Sequence, residues 1–126
     1  MPRGILTDLR KLDSPGLRVV ASEQGTSSTI GLEGECDLAG QRVMRDAVSR
    51  ALVRRPECLV LDLSQVTFID SSGIRAVLAA RGLCAARGCD FVVVPGPAQV
   101  QRVFELSGLI DDLPFTNQAA GAVAEA

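Results

Sequence analysis

CLVLDLSQVTFIDSSGIRAVLAARGLCAARGCDFVVVP occupies residues 58–95, and its pattern decides the fold. Its ends, CLVLDL (58–63) and DFVVVP (90–95), are short, nearly unbroken apolar runs, as in strands buried on both faces. Between them Ile74, Val77, Leu78, Cys84 and Ala85 recur with helical spacing, and Gly88 stands where a left-handed helix stop belongs. Strand, helix and strand of this length predict a right-handed βαβ unit with parallel strands. The connecting stretch LSQVTFI (63–69) leads to the helix, with Val66, Phe68 and Ile69 expected in the core. The helix then opens at Asp70, Ser71 and Ser72.

Upstream, LRVVASEQ (17–24) and SSTIGLEG (27–34) are β-rich stretches around Gly25 and predict a hairpin. From Asp37 the period changes. Met44, Ala47, Val48, Ala51 and Leu52 form an apolar stripe, Arg42, Arg45, Asp46, Ser49 and Arg50 take the other side, and Pro56 ends this amphipathic helix. Downstream, GPAQVQRVFELSGL puts Pro97 in the first turn of a further helix. Val100, Val103 and Phe104 form its buried stripe, and Gly108 with Leu109 gives a Schellman-type stop. A short strand near Leu113 to Phe115 and an Ala-rich end complete the pattern. The expected organisation is an extension over residues 1–16 with no readable structure, one α/β domain over 17–120 and a tail over 121–126.

A chain of 126 residues holds one core. Its composition, 47% apolar and 22% charged, is that of a folding chain. A net charge of −2 without a basic run gives no footing for direct nucleic-acid binding. No segment approaches the roughly 18 consecutive apolar residues that span a bilayer, and the first residues lack the apolar run of a leader, so a soluble cytoplasmic protein without membrane insertion is expected. Cys36, Cys58, Cys84 and Cys89 show no paired-ligand spacing and the chain has no His. They read as reduced core residues rather than a metal site, the alternative being a redox role for Cys84 and Cys89. An activated serine nucleophile has no support either: there is no His to act as base, and no SxxK, GxSxG or P-loop motif. Neither catalysis, cofactor nor metal is expected.

Asp or Ser at a helix start is ordinary capping chemistry, its oxygen accepting from a first-turn N–H. Asp37 stands before the first amphipathic helix in the same way. If both helices follow strands of one sheet, Asp37, Asp70, Ser71 and Ser72 share one edge, where free N–H groups and helix dipoles favour anionic groups.

GECD (34–37) with the helix after it, VLDLSQVTFIDSSGI (60–74), VVVPGPAQVQRVFELSGL (92–109) and the late Phe115 together resemble the STAS domain family, in particular the bacterial anti-sigma factor antagonists. The F-[IM]-D-S-[ST]-G core is its most specific element. The resemblance implies a small α/β domain with a mixed β-sheet and helices packed mainly on one face. It also implies binding to an anti-sigma factor that is itself a serine kinase of the GHKL type, with release of a sigma factor. Phosphorylation of Ser71 ends that binding and a serine phosphatase reverses it. By position Ser71 is the phospho-acceptor and Ser72 its neighbouring hydroxyl. Asp37 belongs to the partner-facing surface and Asp70 is the acid of the motif. Gly73 and Arg75 complete the partner-binding set. Arg75, where many members carry a small residue, either pairs with a phosphate, docks an acidic partner group or is simply solvated. Cys36 replaces a common aliphatic. STAS domains also serve as subunits or scaffolds of transporters and signalling complexes without a phosphorylated serine, and that reading is the alternative.

Overall fold

A computed structural model describes residues 16–116. Its elements are β1 (Leu17–Gln24), β2 (Ser27–Cys36), α1 (Leu38–Val53), β3 (Cys58–Ile69), α2 (Ser71–Ala86), β4 (Asp90–Val94) and α3 (Ala98–Leu106). The strands form one mixed sheet in the order β1-β2-β3-β4, the first pair antiparallel and the other two parallel. The β1–β2 hairpin turns on Gly25 and Thr26, with positive φ at Gly25 only, the backbone signature of a II′ turn. Two βαβ units then follow, sharing β3. The expected 1–16 extension up to residue 15, and the Ala-rich end from residue 117, lie outside the described residues.

α1 lies against β1 and β2, α2 against β3 and β4, and the two helices pack side by side over the sheet. Leu17, Val19, Ile30, Leu32, Leu59 and Leu61 from the strands meet Met44, Val48, Ile74 and Val77 from the helices in one continuous core. α3 packs against β3 through Val100 and Phe104. Gly88 and Gly108 both adopt positive φ, and each closes a Schellman motif. After α2 the amides of Gly88 and Cys89 donate to Ala85 and Cys84, and after α3 those of Gly108 and Leu109 donate to Glu105 and Phe104. Phe104 and Phe115 meet edge to face at 5.2 Å, an arrangement worth about 0.5–1.5 kcal/mol beyond area burial.

Five expectations change. β3 runs to Ile69 instead of stopping at Leu63, because β2 continues alongside it through two register shifts. β4 pairs only with residues 58–62, so the second half of β3 passes beyond it. Phe68 sits in that overhang, opposite Glu35 and after the second shift, and is 48% exposed rather than in the core; Val66 and Ile69 are buried as expected. Pro97 caps α3 from outside the helix, and Gln101 reaches back to accept from the Gly96 amide at 2.8 Å. Near Phe115 the sheet gains an isolated bridge to Val93, not a strand. Finally, Ala85 faces solvent, while Ala76 and Ala80 carry the buried stripe of α2.

Candidate functional site

The parallel pairing of β2 with β3 places Cys36 beside Ile69, so both strands end together and both following helices begin at the same edge of the sheet. Asp37 is the N-cap of α1, its Oδ1 accepting from the Gly40 amide at 3.2 Å. Asp70 is the N-cap of α2, with Oδ1 accepting from the amides of Ser72 at 2.9 Å and Gly73 at 3.1 Å. The two caps are stitched together, since the Asp70 amide donates to the Cys36 carbonyl at 3.3 Å. This resolves which residue of the DSS run does the capping. Asp70 takes the role, and Ser71 and Ser72 become the first residues of the helix, free for something else.

Ser71 is exposed, Ser72 and both aspartates are partly buried, and Gly73 is buried. Gly73 is required by contact. A Cβ there would overlap the Cys36 carbonyl oxygen and lie 2.7 Å from Ile69 Cγ1, so a side chain would push α2 off the end of β2. Burial, with Asp37 and Asp70 on either side, pushes the Cys36 thiol up to about 12. The thiol therefore stays neutral beneath two carboxylates and serves as packing, as its aliphatic counterparts would.

Arg75 is exposed, lies one turn after Ser71 on the same side of α2, and makes no ion pair among the described residues. Two apolar groups belong to this edge that the sequence reading did not single out as surface. Leu38, the first residue of α1, is 71% exposed beside Asp37, and Phe68 lies two residues before Asp70. A signal for Leu38 was present: it falls off the apolar stripe of its own helix. The edge thus offers two acids, a protruding hydroxyl, a cation and exposed apolar groups. Among the described residues no cluster of Cys, Asp and Glu could hold a metal ion. The cysteines are all free thiols; Cys84 and Cys89 are buried, the Cys89 thiol donates to the Asp90 carbonyl at 3.4 Å, and burial pushes the Cys84 thiol up to about 12, far from a reactive thiolate.

Residues 19–114 match the family described as Mlab, STAS domain, and the chain belongs to the STAS domain family. It is 30% identical over 97 residues to the Anti-sigma F factor antagonist of Paenibacillus polymyxa, a match covering 76% of this chain and 83% of that protein. The fold is shared with an anti-sigma factor antagonist from Mycobacterium paratuberculosis, with a TM-score of 0.76 at 22% identity over 90% of this chain and 96% of that one. It is also shared with the Bacillus cell fate determinant SpoIIAA in its phosphorylated form, with a TM-score of 0.66 at 18% identity over 85% and 96% of the two chains. No helix among the described residues is long and apolar enough to cross a membrane.

Proposed function

We propose that this protein is an anti-sigma factor antagonist that docks through the α1/α2 edge onto an anti-sigma factor with GHKL-type serine kinase activity, and that phosphorylation of Ser71 switches it off. The observation that carries this reading is the division of labour at the start of α2: Asp70 satisfies the cap, leaving the Ser71 hydroxyl exposed and structurally dispensable. The antagonist names of its relatives and the phosphorylated form of one structural neighbour support it.

The same geometry explains how a phosphate would act. It brings about −1.5 to −2 charges at neutral pH. The amides of Ser72 and Gly73 already donate to Asp70, so the first turn has little left with which to absorb the new group. Its charge projects outward and adds to those of Asp37 and Asp70. An acidic partner group that tolerates two carboxylates meets a much stronger field, and a loss of about 3 kcal/mol is already a hundredfold in affinity. Arg75 can screen part of this charge from one turn away. A serine phosphatase returns the hydroxyl, and the fold need not change in either direction.

The test is to purify the protein from its cells, identify the kinase that accompanies it and incubate the two with ATP. One phosphate is expected, mapped by mass spectrometry to Ser71, with Ser71→Ala unlabelled and Ser72→Ala labelled. Wild-type labelling of Ser71→Ala refutes the assignment, and co-purification with an ATP-binding cassette complex in place of a kinase favours the transporter-subunit reading.

A further inference from the structure

At the other end of the strands is a cavity of about 270 Å³ between the β1–β2 hairpin and the last two turns of α1. Ser28 and the edge residue Cys36 are eight positions apart on β2, so about 26 Å of strand separates this cavity from the α1/α2 edge. Its apolar walls come from Ile30, Ala47 and Ala51, and Arg50 and Arg54 stand at the mouth. Ser28 lines it as well. That serine shares the helix-facing side of β2 with Ile30 and Leu32 and is only 3% exposed, yet its hydroxyl has no hydrogen-bond partner among the described residues. A buried hydroxyl without a partner is costly and uncommon, so a polar atom of something else belongs beside it.

From these features we infer that the cavity is a binding site for a small amphipathic monocarboxylate. Its hydrocarbon part lies along Ile30, Ala47 and Ala51, and its carboxylate is held between the Ser28 hydroxyl and the guanidinium groups at the mouth. The sign of the charge follows from the lining. The carbonyl end of α1 slightly disfavours an anion. Glu23 lines the cavity too, so two guanidiniums against one carboxylate leave one net positive charge to outweigh it, and Arg54 meets Glu23 through Nη1 alone, at 3.1 Å, leaving donors of its planar fork for a carboxylate. This site is independent of the antagonist reading and shares none of its residues.

The experiment is an amide-resolved NMR titration of the whole chain with sodium hexanoate, and in parallel with hexylammonium chloride and hexan-1-ol. Hexanoate is expected to shift the amides of Ser28, Ile30 and Ala51 saturably, at least about tenfold more tightly than the alcohol, with hexylammonium silent. Arg54→Gln should weaken hexanoate about tenfold. Glu23→Gln breaks the same ion pair but releases Arg54, so it should bind hexanoate as well as wild type or better; a merely structural role for the pair would make both variants lose binding alike. Ser28→Ala should keep the fold and weaken hexanoate. Absence of saturable shifts at these amides, or preference for hexylammonium, overturns the inference.

Discussion

Asp37 and Asp70 cap neighbouring helices, Asp37 through one amide and Asp70 through two, and substitutions separate capping from charge. Asp37→Asn keeps an oxygen that accepts from the Gly40 amide, so the melting curve should barely move, whereas Asp37→Ala should cost about 0.5–2 kcal/mol in urea unfolding. If Asp37 faces the anti-sigma factor, Asp37→Asn weakens binding or slows Ser71 phosphorylation; wild-type behaviour in both assays makes it a cap alone. Ser71→Asp places a charge on an exposed first-turn residue whose cap is supplied by Asp70, and a negative charge suits a helix N-terminus. Thermal stability should stay within about 0.5 kcal/mol while anti-sigma affinity falls, and equal affinity by calorimetry removes the electrostatic switch. Gly73→Ala is the opposite case. Its Cβ meets backbone, so unfolding in urea should show a net loss of about 1–3 kcal/mol even though Ala is the better helix former.

At the scale of elements, the site is made by two parallel strands ending side by side. Neither helix supplies it alone: α1 brings Asp37 and the exposed Leu38, and α2 brings Ser71 and Arg75. Leu38 lies outside the buried stripe of α1, formed by Gly40, Val43, Met44, Ala47, Val48 and Leu52, so its side chain contributes little to the core. Exposed apolar groups inside a polar rim often anchor interfaces. Leu38→Ala should therefore leave stability within about 0.5 kcal/mol and weaken partner binding by about tenfold or more. Unchanged affinity would move the docking surface away from the start of α1 and toward α2 alone.

For the molecule as a whole, the cysteines make stability depend on alkaline pH. Burial raises the thiols of Cys36 and Cys84 to about 12 in the folded chain, against an ordinary thiol value of 9.0. Above pH about 9 the unfolded chain therefore sheds thiol protons that the folded chain retains. The stabilisation is complete below that pH and drains away as pH rises toward 12. The chain has no Tyr and its single Lys is Lys11, so few other groups titrate in this window. Urea midpoints should fall steadily from about pH 8 to about pH 11, and a Cys36→Ala/Cys84→Ala variant, less stable at neutral pH, should show a flatter profile. An equally steep profile in that variant would place the dependence elsewhere.

What the sequence by itself determined is the part encoded by local pattern and contiguous motif. The buried strands around 58–63 and 90–94, the helical stripes of α1 and α3, the Schellman glycines and the Asp37 cap follow from periods and from single-residue backbone chemistry, and the FIDSSG run carried the family. Tertiary structure decided what depends on how far one strand outlasts its neighbour. β3 continues past β4 because β2 supplies the missing hydrogen bonds, and Phe68 is exposed because that overhang has lost its neighbour on one side. The split between Asp70 as cap and Ser71 as exposed hydroxyl, the contact that forbids a side chain at Gly73, and the unpartnered Ser28 beneath α1 are likewise tertiary. Each depends on a distance between residues remote in the chain or on the competition of adjacent oxygens for the same amides, and neither quantity has a period to be read.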